Sequence, residues 1–180
     1  MQTNCNTNFL APTGFQLDIP GFTSVSFQCV SANIPGVTMG GPTQATPLND
    51  FQLSGDKLIY DTLTIRFLVD ENCNNYSLIH NWMVGITYPQ QSDQWYEFAE
   101  TMRDKTFQDD DLDSVDLYLR ILTSNFNTSF KCKFIDAAPI ALSTLEFSTD
   151  QNDVQYLVAE ATFRYTYFKL TNSLDKELTL

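Results

Sequence analysis

Basic charge and histidine are what this sequence has least of. Its 180 residues hold 10 Lys and Arg against 22 Asp and Glu, a formal net charge of −12, with one histidine, His80. Affinity for phosphates comes from Lys and Arg that displace counterions, so this balance argues against tight binding of nucleic acid. It does not exclude a protein that tolerates DNA nearby without holding it. The four cysteines, Cys5, Cys29, Cys73 and Cys132, contain no C-x-x-C pair, and one histidine does not complete a zinc site with them. Free thiols in a reducing cytosol are expected. The Asn-x-Ser/Thr triplets at Asn75 and Asn127 therefore carry little weight as glycosylation sites. No run approaches the roughly 18 to 20 apolar residues that cross a bilayer, and the start, MQTNCNTNFLAPTG, lacks the basic and apolar parts of a signal peptide. Neither a membrane span nor membrane targeting is expected.

Catalytic groupings are scarce as well. His80 falls on the polar side of a helical stripe, opposite Ile79 and Met83, with no second histidine to share a metal. Asp70 and Glu71 are neighbours on a strand end, where successive side chains point to opposite faces, which separates rather than pairs them. The aspartates Asp109, Asp110, Asp111 and Asp113 could suggest a calcium loop, but the internal glycine and terminal glutamate of an EF-hand loop are missing. No G-x-S-x-G occurs, and Gly40-Gly41 is an isolated doublet rather than a phosphate loop. The chain is expected to be no enzyme and to hold no cofactor and no metal.

What is present is alternation. Phe15 to Ile19 and Val25 to Cys29 alternate on either side of Pro20-Gly21 and read as a hairpin. Residues 34–50, with three prolines and three glycines, read as an irregular extended arm, longer than connections within a compact domain and held by something outside it. In GDKLIYDTLTIRFLVDEN, the alternation of Leu58, Tyr60, Leu63, Ile65, Phe67 and Val69 shifts register at Asp61-Thr62, which predicts a bulge or bend. Ile79, Trp82, Met83 and Ile86 then follow helical spacing, with Asn74-Asn75 as cap candidates, and Trp95, Phe98, Ala99 and Met102 repeat it. Strands are expected again at Leu117–Ile121, Phe130–Phe134, Leu145–Phe147 and Val154–Lys169, the last broken near Glu160. The predicted fold class is mainly β: a sandwich or small barrel with one or two packed α-helices and an extended hairpin or arm. Residues 1–180 make a single domain, with an N-terminal segment at 1–13, the arm at 34–50, an acidic segment at 91–116 and a tail at 171–180. Between Gln91 and Asp116, nine acids face two bases, more than half the net charge.

The motif G-D-x-x-x-Y-D-x-L-T-I-x-F-x-V-D-E-N, followed by N-Y-x-x-I-x-x-W-M, resembles tail tube proteins of contractile-tailed, T-even-like bacteriophages. The order FQLDIPGF, FQCVSANIPGV, Pro-rich arm and final VAEATFRYTYFKL extends the likeness from about Phe15 to Leu170. The acidic segment, the cysteines and the tail lie outside it. The resemblance implies a structural virion protein of the phage tail, assembled in the host cytoplasm. It also implies hexameric rings stacked into a tube that conducts DNA inside a contractile sheath, with sheath, baseplate and tail-terminator proteins as partners. The first expectation is the repeating tube subunit. Alternatives are a baseplate tube-initiator or tail-completion protein of the same fold, and then a type VI secretion tube ring protein. Exposed strand edges support a ring, because closing it pairs edges that would aggregate in a monomer. Ile34, Pro35, Gly36, Pro42, Pro47, Leu48, Gly55, Asp56 and Tyr60 are the expected subunit interface. Asp109, Asp110, Asp111 and Asp113 are expected to face the lumen, where they would repel DNA, or the sheath.

Overall fold

The computed structural model describes residues 10, 12–20, 25, 26, 28–87, 114–148 and 156–172. Strands dominate, as the alternation predicts. They are β1 (Phe15–Asp18), β2 (Cys29–Ala32), β3 (Val37–Met39), β4 (Thr43–Gln44), β5 (Phe51–Gln52), β6 (Leu58–Tyr60) and β7 (Leu63–Leu68), then β8 (Val115–Leu122), β9 (Thr128–Leu142), β10 (Val158–Arg164) and β11 (Tyr167–Asn172). Among the described residues, helix α1 (Asn74–Thr87) lies between β7 and β8.

All pairings among the described residues are antiparallel. The main sheet runs β1-β8-β9-β10-β7-β2, with β11 also on β9. Strand β9 joins two halves: residues up to Ala137 pair with β8 and β11, and Ala138 to Leu142 pair with β10. The change of partner falls beside Asp136, whose φ of 55° bends the strand. Small residues fill the corner, Ala137 and Ala138 being buried where larger side chains would hold the halves apart.

Inward positions follow the expected period. Leu117, Leu119 and Ile121 on β8, Cys132 and Phe134 on β9, and Leu63, Ile65 and Phe67 on β7 are buried, as are Ala159, Ala161 and Phe163 on β10. Helix α1 closes this core with Ile79 and Trp82, the indole lying 5.9 Å from the Phe163 ring. His80 is exposed.

Several local expectations are corrected. Phe15 to Asp18 does not form a hairpin with the following strand; it pairs with Tyr118 to Ile121, and Cys29 to Ala32 pairs with β7. Leu145 to Phe147 is not a strand. The final strand runs unbroken through Glu160 and reverses at Tyr165-Thr166 instead. Asn75 is no cap: the first helical bond runs from Ser77 N to Cys73 O at 2.9 Å, which places the cap at Cys73. Asn75 is buried and latches the helix to the sheet. Its amide donates to Leu68 O at 2.6 Å and to Gln28 Oε1, and its Oδ1 accepts from the Asp70 N–H. The second helix expected around Trp95 to Met102 lies outside the described residues.

Burial sorts the thiols. Desolvation pushes the Cys29 thiol up to about 11 and the Cys132 thiol up to about 12. At pH 8 roughly one Cys29 in a thousand is a thiolate, and fewer Cys132. Among the described cysteines, Cys73, half-buried at the helix start, is therefore expected to react first with a maleimide, Cys29 slowly, and Cys132 only on unfolding. Mass spectrometry of the native chain against labelling time checks this order, and early labelling of Cys132 would contradict it.

Candidate functional site

A two-stranded ribbon projects from the sheet between β2 and β7. Val37 to Met39 pairs with Leu58 to Tyr60, and farther out Thr43-Gln44 pairs with Phe51-Gln52. Residues 34–50 are thus only the outgoing half of a hairpin whose return half is 51–60. The bend expected near Asp61 is where β6 leaves the ribbon and β7 enters the core.

Glycine makes the ribbon possible. Between the two ladders the strands approach so closely that a Cβ at Gly55 would lie 1.4 Å from the Gly40 carbonyl oxygen, and one at Gly41 2.2 Å from that of Leu53. Both obstacles are backbone, so neither position admits a side chain without opening the ribbon. The Leu53 N–H donates to Pro42 O at 3.0 Å just beyond this crossing.

The base of the ribbon is fixed to the body. Asp61 N–H donates to Gly36 O at 3.1 Å, and the Tyr165 hydroxyl donates to Asp61 O at 2.6 Å. Desolvation pushes the Tyr165 hydroxyl up to about 12, so it remains a donor throughout the physiological range. Tyr60 packs edge-on against Tyr165 and Phe168, with ring centroids 6.1 and 5.6 Å away, and both partners meet Phe134 of the core.

Beyond that base the ribbon is apolar and bare. Ile34, Val37, Met39, Leu48, Phe51, Leu53, Leu58 and Ile59 are all exposed, Leu48 at the tip to 99%. Eight large apolar side chains on one projection, in a chain this acidic, form a surface that water alone does not favour. Every residue expected at a subunit interface lies on this ribbon or its base. Ile34, Gly36, Pro42, Pro47, Leu48 and Asp56 are exposed, Gly55 and Tyr60 are half-buried, and Pro35 is buried. The expectation did not include the exposed Val37, Met39, Phe51, Leu53, Leu58 and Ile59. Their density of apolar residues inside a Pro- and Gly-rich stretch was the available signal. Asp109, Asp110, Asp111 and Asp113 lie outside the described residues.

Among the described residues the chain is an antiparallel β-domain with a bent shared strand, a packed helix and an exposed apolar hairpin that reaches away from the core. The family model for phage tail tube proteins matches residues 6–171, and the chain belongs to that family. It is 28% identical over 166 residues to the tail tube terminator protein of Enterobacteria phage T4, covering 88% of this chain and 86% of that one. Its fold is similar to that of the tube-terminating cap of the anti-feeding prophage, with TM-score 0.59, 12% identity, and 94% and 95% of the two chains covered. It is also similar to a chain of the sheath/tube terminator structure of the extracellular contractile injection system PVC, with TM-score 0.55, 12% identity, and 92% and 99% covered. A chain of the PVC sheath–tube complex gives TM-score 0.56 at 11% identity, with 92% and 93% covered. The chain is therefore a phage tail component of mainly β, tail-tube-like fold.

Proposed function

We propose that this chain is a tail tube terminator, a single tail-tube-like domain that forms a ring on the end of the tube and stops its growth. The observation that carries this is the relation to the T4 terminator across most of both chains. Fold likeness does not separate the roles, because a terminating cap and a chain of a sheath–tube complex score 0.59 and 0.56. The tail-completion alternative is thus preferred over the repeating subunit first expected from sequence.

The ribbon supplies the physical means. Its apolar residues, with Ile34, Gly36, Pro42, Pro47 and Leu48, pack against neighbouring subunits or the last ring of the tube, and closing the ring covers the outer edges of β2 and β11. The ring is hexameric, matches the tube below it, contacts the sheath end, and lets DNA pass without holding it. Assembly takes place in the host cytoplasm, and the role is structural rather than catalytic.

The test is growth of tubes from baseplates in the presence of this protein. Substoichiometric amounts are expected to halt elongation, with label at one end of each tube in electron micrographs. Label distributed along the tube, or elongation by this protein alone, would restore the repeating-subunit assignment.

A further inference from the structure

The ribbon carries two apolar surfaces, one concave and one convex. Val37 stands opposite Tyr60 and Met39 opposite Leu58, and residues directly opposed across a ladder share a face, as do residues two apart on one strand. Val37, Met39 and Leu58 therefore lie on the side that Tyr60 turns to the body. The Tyr60 ring rests 5.6 Å from that of Phe168, and Leu170, two residues along β11, continues the same side of that strand. This makes an angle with Tyr60 at its vertex, the ribbon leading away on one side and β11 on the other. Its walls are bare: Val37 is 43%, Met39 60%, Leu58 56% and Leu170 40% exposed.

The convex surface is the ribbon tip. Asn49 N–H donates to Thr46 Oγ1 at 3.3 Å and the Thr46 hydroxyl donates to Asn49 O, which closes the turn that presents Leu48. Phe51 and Leu53 alternate onto one side just behind it, and both are exposed. A turn fastened to itself in this way loses little freedom on docking. Leu48 stands up to about 30 Å of extended chain beyond Met39. The exposure of both surfaces shows that a chain does not cover its own angle with its own tip.

Each copy thus offers one tip and one angle, both apolar. We propose that the angle at Tyr60 receives the ribbon tip of a second copy, with Leu48, Phe51 and Leu53 packing against Val37, Met39, Leu58 and Leu170. This contact rests on the ring-forming function proposed above and names the two surfaces that join one subunit to the next. Used head to tail around a closed ring, it covers the tip and the angle of every copy, whereas a foreign partner on one of them would leave the other in water. The exposed apolar side chains of the ribbon amount to on the order of 800 Å², the area that each partner of a stable interface buries. The glycine crossing aims the tip. Gly41 and Gly55 meet backbone there, whereas a Cβ at Gly40 would meet Cδ1 of Ile59 at an ordinary 3.9 Å.

Phe51→benzoylphenylalanine in the full-length chain tests the contact. Rings assembled from equal amounts of normal and heavy-isotope copies are irradiated, and the joined peptides are identified by mass spectrometry. Bonds are expected to pair normal with heavy copies as often as random mixing allows, and to end on the peptides that carry Met39, Leu58 or Leu170. Bonds confined to copies of one isotope, or ending elsewhere on the chain, would overturn the proposal. Phe51→Asp is expected to raise the concentration needed for rings by about 10- to 100-fold in sedimentation, with circular dichroism confirming a folded chain. Gly55→Ala should shift assembly in the same direction and Gly40→Ala should leave it unchanged. Rings at the wild-type concentration from Phe51→Asp would also overturn the contact. A wild-type chain that forms no ring refutes the ring-forming function itself, whereas rings that lack these bonds refute the contact alone.

Discussion

Met39→Asp combined with Leu58→Lys is expected to abolish attachment to the tube while leaving the domain folded. The two residues face each other across the base ladder of the ribbon and are 60% and 56% exposed. Introducing opposite charges keeps a favourable cross-strand pair, so the ribbon itself persists. Changes at exposed positions stay within about 0.5 kcal/mol of wild type, so the thermal midpoint should barely move. Covering each side chain in an assembly is worth about 1.5–3 kcal/mol, and losing both weakens association by roughly 10² to 10⁴-fold. Co-sedimentation with preformed tubes measures the loss. Wild-type binding by the folded variant would remove the ribbon from the assembly surface.

The second large effect is internal. Asn75→Leu is expected to lower stability by about 2–5 kcal/mol, against less than about 0.5 kcal/mol for Asn74→Leu one residue earlier. Asn75 is fully buried, and its amide serves Leu68 O, Gln28 Oε1 and the backbone N–H groups of Asp70 and Tyr76. Leucine fills a similar space but leaves those groups without a partner away from water. Asn74 is exposed and has no such duty. Urea unfolding of the two variants makes the comparison, and equal midpoints would mean that the latch contributes nothing to holding α1 on the sheet.

These two asparagines show where local pattern stops. Helical spacing located α1 from Ile79, Trp82, Met83 and Ile86, and the Asn pair before it looked like a cap. Which of the two turns inward depends on Leu68 and Gln28, and no local rule connects residue 75 to residue 28. The first strand has the same history. Pro20-Gly21 between two alternating segments is a hairpin signal, yet β1 pairs with β8, about a hundred residues away. Alternation reports which side chains face inward; it carries no information about which strand lies alongside.

The sequence by itself determined the mainly β class, the helix, the inward residues of β7, β8 and β9, and the bend at Asp61. Each follows from periodicity or turn chemistry within a few residues. Tertiary structure decided the rest. It paired 37–39 with 58–60, so that an irregular arm became an apolar ribbon closed over Gly40, Gly41 and Gly55. It also gathered Arg120, Lys131, Lys133 and Lys169 from three strands onto one face. Backbone hydrogen bonds that fix strand register act between residues far apart in the chain, and only register places scattered side chains side by side.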